Sequence, residues 1–432
     1  MIHRCAKCPG VDALNKYLAE HFKNKDFSDD DKVTYNQWTT VDRSTLVCVQ
    51  ERVDEFINHV CDAVDSLTAH HFVSKSQSRF CKSTRESLAD NQALITLDLA
   101  ENYTFIIQDA IQGYHWTNDQ ATLHPFSIYN KGNHYSYCVI SDHMKHVTET
   151  LYAFINVILK DLKLAHPHIT EVIYFSDGAG SQYKNKKNFC NLMHHEADFG
   201  LKATWKFYAT SHGKNTCDGI GGTVKRLAAR HSLQNRNIRS PTELFDFAKT
   251  IQNIKSIWVP SSEVIAHGSM LETRFETMPK VGGCRDGHRF SPDGDNLNVY
   301  RLSVDTAPFT VVNYSGILQP SVETEAVSVG NYVAIMFDTD WYIGIILDYD
   351  DEHDDYRVNC LHPKGTSSNH SFHWPRSRED ICWIPNAHMI CKVESLGTVQ
   401  GRQFEISKDE RRKIVDKLNA MLGNTFLIDI SR

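Results

Sequence analysis

The order of strand and helix patterns between residues 92 and 235 is the feature that most restricts the fold of this chain. Short β-branched and aromatic runs, such as residues 172–175, predict strands that are buried on both faces of a sheet. Apolar residues recur at helical spacing along residues 146–163. The segments follow one another as β-β-β-α-β-α-β-α, which predicts an antiparallel hairpin region that continues into a parallel sheet covered by helices.

This order resembles that of the ribonuclease-H-like core. We therefore predict an α/β chain with a mixed-sheet core of that kind, an N-terminal helical region and a C-terminal SH3-like all-β barrel, which short strands separated by turn signals indicate. The predicted regions are an N-terminal helical region at 1–91, a ribonuclease-H-like catalytic domain at 92–240, an extension of that domain at 241–320, an SH3-like or Tudor-like barrel at 326–393 and a C-terminal helix at 401–432.

Three aspartates occupy positions that converge at one edge of a sheet with this order. Asp98 ends the first strand, Asp177 ends the fourth, and Asp218 begins the helix after the fifth. Three carboxylates at one edge repel one another unless a cation lies between them, and hard oxygen ligands suit Mg²⁺ or Mn²⁺. Two such ions can hold the attacking and leaving oxygens of a phosphodiester displacement. Each aspartate also has a simpler interpretation, as a turn residue or a helix cap.

Three segments resemble, in their sequence and order, the catalytic domain of DDE/D transposases and their domesticated relatives, the transposon-derived proteins of animal genomes. They are LDLAENY at 97–103, YFSDGAGSQYKN at 174–185 and SHGKNTCDGIGGTVKR at 211–226. The resemblance implies that Asp98 and Asp177 are the first two catalytic, metal-binding acids. It also implies metal-dependent DNA cleavage and strand transfer, with DNA as partner and the nucleus as location.

The third acid is less sharply defined, because many such enzymes have Glu at this point. We prefer Asp218, and Glu101 and Glu243 are the other candidates. The glycines that follow Asp218 would let the backbone approach a phosphate closely; they are Gly219, Gly221 and Gly222. The alternative function is a catalytically idle descendant that acts as a DNA- or chromatin-binding protein, which the lack of a recognisable N-terminal DNA-recognition module favours.

Basic residues accompany these segments although the whole chain has a net charge of -7. Between residues 202 and 239 there are eight Lys and Arg residues and one Asp. Such side chains position a nucleic acid through its phosphates, and the simpler interpretation is a solvated helix face. The predicted nucleic-acid contacts are Lys184, Lys186, Lys187, His212, Lys214, Lys225, Arg226 and Arg230.

Aromatic residues in the predicted barrel could form its core or a cage for a cationic peptide. The candidates are Tyr332, Trp341 and Trp374. An acidic run at 348–355 favours a basic peptide or histone tail as the partner of the barrel, rather than DNA. The competing interpretation is that the barrel packs on the catalytic domain.

Cysteine usage and hydropathy restrict the remaining possibilities. The 12 cysteines follow no disulfide-framework rhythm and no secretory signal is recognisable, which predicts reduced thiols. Cys5 and Cys8 have zinc-knuckle spacing without a second pair nearby, so two ordinary thiols are preferred to a Zn²⁺ site. No apolar stretch has the length of a membrane span. The sequence does not identify the DNA target or the oligomeric state, and it does not show whether the chain is catalytically active.

Overall fold

The structure is a computed structural model that describes residues 10–40, 44–107, 119–210, 213, 215–234, 237–276, 278–315, 327–337, 340–351, 353–363, 371–375, 379–394, 396–399 and 403–421. Four residues of the sequence analysis lie outside these ranges: Cys5, Cys8, His212 and Lys214. The chain divides into two compact units, Met1–Ser76 and Gln77–Arg432.

The first unit combines helices with a hairpin. Its elements are α1 (Gly10–Lys23), β1 (Lys32–Thr40), β2 (Ser44–Arg52) and the first part of α2 (Val53–Glu86). Val53 and Ile57 of α2 are buried against Leu14 and Leu18 of α1. The prediction of a helical region at 1–91 did not include the antiparallel hairpin β1–β2, and residues 53–86 form one continuous helix.

Ten described strands of the second unit form one mixed sheet. They are β3 (Gln92–Leu97), β4 (Ala100–Thr104), β5 (Gln120–Asn130), β6 (Asn133–Ser141), β7 (Glu171–Ser176), β8 (Lys202–Phe207), β9 (Lys255–Trp258), β10 (Arg289–Asp293), β11 (Asn296–Tyr300) and β12 (Thr310–Asn313). The order is β12-β11-β10-β8-β7-β3-β5-β6-β9, and β4 pairs with β5 outside this path. The pairs β3–β7, β7–β8 and β6–β9 are parallel, whereas β3–β5 and β5–β6 are antiparallel.

Helices cover both faces of this sheet. They are α3 (Thr148–Ala165), α4 (Lys186–Met193), α5 (His195–Phe199), α6 (Thr216–Ser232), α7 (Pro241–Ala248) and α8 (Ser261–Glu276). Successive residues of a strand point to opposite faces, so Ile95 joins the core beneath α3 while Leu94 joins the core beneath the end of α2. Val224 of α6 is buried on the same side as Leu123 of β5. Helix α6 thus lies against the sheet with its N-terminus beside the ends of the parallel strands.

A second described sheet of eight strands follows. Its strands are β13 (Tyr332–Phe337), β14 (Asp340–Asp350), β15 (Asp355–Pro363), β16 (Ser371–His373), β17 (Asp380–Pro385), β18 (Met389–Lys392), β19 (Leu396–Val399) and β20 (Gln403–Ile406). The last helix, α9 (Lys408–Met421), buries Ile414 and Leu418 in the core that contains Trp341. This sheet therefore extends beyond residue 393, and α9 completes its core.

These elements place the chain in the mixed α/β class, as the sequence predicts. None of the helices within the described ranges has the length and apolar character needed to cross a membrane.

Candidate active site

Two of the predicted acids follow neighbouring parallel strands. Asp98 comes directly after β3, and Asp177 comes directly after β7. The two strands are paired in a register that sets Thr96 opposite Phe175, two residues before each aspartate. Asp98 and Asp177 therefore lie side by side at the carboxyl edge of the sheet, where open α/β sheets place their ligand sites.

The third predicted acid approaches this edge from α6. Asp218 lies in the first turn of that helix, where its Oδ2 accepts a hydrogen bond of 3.0 Å from the backbone N–H of Asn215. The Asn215 side chain in turn accepts from the N–H of Cys217, so the two residues form a capping box. The capping role expected as the simpler interpretation of Asp218 is thus present, and it fixes this exposed carboxylate at the helix start.

The pKa of Asp98 is affected by the charges of the other two acids. Burial is the largest cause that raises the pKa of Asp98 to about 7, and the negative charges of Asp177 and Asp218 raise it further. Burial also raises the pKa of Asp177, although the backbone N–H of Ala179 donates to its Oδ1 at 3.2 Å. A half-buried group of like charges is stable at neutral pH only with protonation or a bound cation.

A close backbone contact holds Asp177 from the side of the loop before α6. A Cβ atom at Gly213 would lie 3.0 Å from the Cβ of Asp177, which is tighter than side chains accept without movement. Only glycine therefore fits at 213 without displacing this carboxylate.

A neutral hydrogen-bonded pair lies beneath the acids. The Tyr183 hydroxyl is 3.1 Å from Nε2 of His124, and Nδ1 of that histidine is 3.3 Å from the carbonyl of Pro125. Because a carbonyl only accepts, Nδ1 carries the proton and Tyr183 donates to Nε2. Burial lowers the pKa of His124 to about 3, so the ring is uncharged. Burial, Asp98 and Asp177 all raise the pKa of Tyr183.

Sequence analysis did not identify Tyr183 and His124. The signal for Tyr183 was its place inside the segment 174–185, but its partner on β5 becomes adjacent only when the sheet forms.

The donors fit a hard divalent cation by chemical type, because carboxylate oxygens are the ligands that Mg²⁺ and Mn²⁺ prefer. In the ranges that the structure describes, no three His, Cys, Asp or Glu residues are arranged as a metal cluster. Asp98 and Asp177 are the two groups best placed as ligands, since both have raised pKa values at one sheet edge.

The other candidates for the third acid have different partners. Glu243 accepts from the backbone N–H of Arg239 at 2.7 Å, at the start of α7. Glu101 on β4 interacts electrostatically with Lys225. These contacts leave Asp218 as the acid that acts on Asp98.

Several predicted nucleic-acid contacts bind within the chain instead. The Lys184 amine donates to the carbonyl of Arg285 at 2.7 Å, and burial lowers the pKa of Lys184 to about 8. Lys187 forms an ion pair of 2.7 Å with Glu149. These two amines therefore have partners within the chain, and their contact with DNA stays a prediction.

The remaining predicted contacts lie nearer the surface. Arg226 and Arg230 are exposed on α6, whereas Lys186 and Lys225 are half-buried. The exposed arginines of α6 are thus the best-placed phosphate contacts among the predicted set.

The predicted aromatic cage is not open. Trp341 is buried with its ring centroid 5.9 Å from that of Phe372, and Trp374 lies edge-on to Phe404 at 6.0 Å. Tyr332 is half-buried against the same core. The indole of Trp341 is therefore part of the core of the second sheet.

The acidic run of the barrel pairs with cations of its own chain. Asp350 forms an ion pair with Arg285, and Asp351 forms one of 2.6 Å with Lys280. Asp355 is buried and accepts from the N–H of Gly283 at 3.2 Å. These contacts favour the interpretation that the barrel packs on the preceding residues.

Comparison with solved structures gives one similarity, to a chain titled "Crystal structure of NurA". Sequence identity is 10%, the match covers 57% of this chain and 52% of that chain, and the TM-score is 0.14. The chain thus spans about half the length of that protein, and a TM-score this low does not indicate a shared fold. No curated protein matches the chain.

Family models match both units of the chain. Residues 1–68 match a family described as Domain of unknown function (DUF8700). Residues 77–303, which include nine of the ten strands of the mixed sheet, the three acids and helix α6, match Domain of unknown function (DUF8701). Since this second match covers more than half of the chain, the protein belongs to the DUF8701 family.

Proposed function

We propose that this protein is a metal-dependent enzyme that cleaves DNA and transfers the cut strand, in the manner of DDE/D transposases. The observation that carries the proposal is that Asp98 and Asp177 directly follow two paired parallel strands at one edge of the sheet, where burial and nearby like charges raise the pKa of Asp98. Mutually repelling carboxylates at a sheet edge are a typical arrangement for catalysis that depends on a bound cation. The proposal includes DNA as partner and the nucleus as location.

The strand order supports a ribonuclease-H-like core. The central strands run β6-β5-β3-β7-β8, with β3, β7 and β8 parallel and with β5 antiparallel to both β3 and β6. In a ribonuclease-H-like core, the fourth strand along the chain pairs with the first strand and not with the third. Here β7 likewise lies beside β3 and not beside β6. Helix α6 follows β8 and brings the third acid to the same edge. The all-antiparallel second sheet supports an SH3-like barrel in the same way.

Asp98 and Asp177 would hold a Mg²⁺ or Mn²⁺ ion, with Asp218 as the third acid. Such an ion supplies Lewis-acid stabilisation of the phosphoryl group. Burial and the neighbouring charges favour protonation of Asp98, so a cation held there would compete with a proton. The uncharged Tyr183–His124 pair supports the edge without adding charge. Arg226 and Arg230 are available to contact DNA phosphates.

The proposal predicts that Asp98→Asn and Asp177→Asn each reduce DNA cleavage by at least about a hundredfold, because each removes a charged oxygen ligand. Cleavage of duplex and single-stranded DNA is measured with Mg²⁺ and with Mn²⁺. Calorimetry on the same proteins measures cation binding, which we expect both variants to lose.

Asp90→Asn is the matched control. Asp90 precedes β3, at the strand end opposite Asp98, and its exposed side chain pairs with Lys131. It should retain cleavage and cation binding. If wild type and both active-site variants bind the cation equally, the metal site is wrong. If the wild type binds cation and DNA without cleaving, the idle DNA-binding protein is the correct function.

A further inference from the structure

A cavity of about 260 Å³ lies beside the acids, between the end of α2, the sheet and the start of α6. All of its lining residues belong to the second unit. The residues that give the cavity its chemistry are Ser78, Lys82, Arg85, Thr96, Tyr129 and Asn215.

One stripe of helix α2 forms the outer wall. Ser78, Lys82 and Arg85 are separated by four and three residues, so they share one helical face. All three are exposed, and the Arg85 guanidinium lies 5.2 Å from the ring centroid of Tyr129. Two cations therefore line the cavity on this side, and one of them lies over an aromatic ring.

The inner wall leads directly to the acids. Thr96 of β3 is two residues before Asp98 on the same strand face, a separation of about 7 Å along a strand. Asn215 lines the cavity while its backbone N–H donates to Asp218 at 3.0 Å. The Thr216 hydroxyl is 2.9 Å from that of Tyr129, which joins the start of α6 to the sheet.

The lining favours an anion. Among the described residues that form the cavity there are two cations, several hydroxyls and an amide, but no carboxylate. Pockets for small molecules span roughly 300–1,000 Å³, so this cavity suits one phosphate with its sugar and is too small for a base pair. Arg and Lys are the side chains that bind phosphate oxygens best.

We propose that this cavity binds a backbone phosphate of a nucleic-acid strand, close to the phosphodiester that reacts at the three acids. The inference rests on the proposed function and names the strand-positioning subsite of the same site. Lys82 and Arg85 hold the phosphate by charge-assisted hydrogen bonds, and the walls admit a single strand.

The test measures binding of a single-stranded oligonucleotide without terminal phosphates to the full chain, by fluorescence anisotropy at several salt concentrations. A chelator is present, so the reading does not depend on catalysis. Lys82→Ala/Arg85→Ala should weaken binding by at least about tenfold, because hydrogen bonds to charged groups are lost. The slope of log affinity against log salt should fall by about 0.7, the value for one phosphate of a single strand.

Arg79→Ala/Lys160→Ala is the matched control, because it removes two exposed cations that do not line the cavity. It should weaken binding by less than about twofold if neither of these two side chains contacts a phosphate. Lys82→Arg/Arg85→Lys keeps both charges and should retain most of the affinity, which separates loss of phosphate binding from loss of folding.

If Lys82→Ala/Arg85→Ala and Arg79→Ala/Lys160→Ala lose equal affinity for the oligonucleotide, the inference is wrong and the strand binds a diffuse basic surface. Two other results would assign the cavity to a free nucleotide instead. In the first, the oligonucleotide binds only when it carries a terminal phosphate. In the second, Lys82 and Arg85 are needed for binding of a nucleoside monophosphate but not of the oligonucleotide. Failure of the proposed function has a different signature. Cleavage would then be absent in the wild type while the anisotropy difference between the two pairs persists.

Discussion

Asp98 carries a charge that the folded chain disfavours. Its carboxyl is half-buried and faces two other carboxylates, so its pKa is about 7 in the folded chain against an ordinary 3.8. Between these values the folded state binds more protons here than the unfolded state. This group therefore makes stability fall as pH rises from about 4 to 7.

Asp98→Asn should remove that loss, because an amide has no proton to release. We expect the variant to be more stable than wild type by about 2 kcal/mol at pH 8, a value reduced for the solvent that reaches this carboxyl, and equally stable near pH 4. Urea unfolding at the two pH values measures the difference. Asp90→Asn should change stability by less than about 0.5 kcal/mol at either pH. A constant difference across pH would contradict the assigned ionisation.

Mg²⁺ gives a second measurement on the same proteins. At pH 8 it should stabilise the wild type, because a cation bound only by the folded state adds its binding free energy. The variant should gain much less.

The sequence was sufficient to predict these acids because each follows a strand or begins a helix, which are local signals. Asp98 and Asp177 come after apolar runs that end at polar residues, and Asp218 follows a capping asparagine. His124 and Tyr183 could not be predicted, since 59 residues separate the two partners of their hydrogen bond.

Helix α6 shows how an element can be predicted while the roles of its residues are not. Its glycines suggested close approach to a phosphate. A Cβ atom at Gly221 would instead lie 3.2 Å from Cγ of Pro125 and 3.4 Å from Cβ of Ala100, so this glycine faces the sheet. Gly219 and Gly222 have no such neighbours within 4 Å. Gly221 thus sets the distance between α6 and the strands that end near the acids.

Gly221→Val should therefore destabilise the chain by about 1–3 kcal/mol, the usual cost of overpacking a tight contact. It should also lower DNA cleavage, because α6 carries Asp218 and would move away from the edge. Gly222→Val makes the same chemical change on the open side of the helix and should alter stability by less than about 0.5 kcal/mol. Chemical unfolding and the cleavage assay measure both effects. Similar losses in the two variants would show that α6 packing does not depend on position 221.

Element order was predictable from periodicity, but several pairings were not. Strand β10 pairs with β8 through Phe290 and Trp205, and Phe290 stacks on Phe189 of α4 at 4.1 Å. Residues 241–320 carry no pattern that identifies β8 as the neighbour of β10, because this pairing depends on contacts between residues far apart in the sequence. The hairpin β1–β2 was missed although β2 contains the apolar run LVCV at 46–49, and most residues of this strand are exposed.

At the scale of the second unit, the eight-stranded sheet contacts residues that are connected to the loop after Asp177. The Arg285 guanidinium lies 4.0 Å from the ring centroid of Trp383 and pairs with Asp350, while its carbonyl accepts from Lys184. Lys184 belongs to the loop that follows Asp177. The sequence showed acidic and basic residues in both regions, but it could not show that they pair with each other.

The barrel should fold alone only when it includes β20 and α9. Ile414 and Leu418 of α9 are buried, as are Phe404 and Ile406 of β20, and these residues share a core with Trp341 and Phe372. A fragment of residues 327–421 should therefore give dispersed amide resonances and cooperative unfolding. A fragment of residues 327–399 should not, because it leaves one side of that core exposed.

In the longer fragment Leu418→Ala should cost about 2–5 kcal/mol, whereas Asp416→Ala on the exposed side of the helix should cost less than about 0.5 kcal/mol. If the shorter fragment unfolds as cooperatively as the longer one, the barrel predicted from residues 326–393 is complete without the helix, and α9 only covers it.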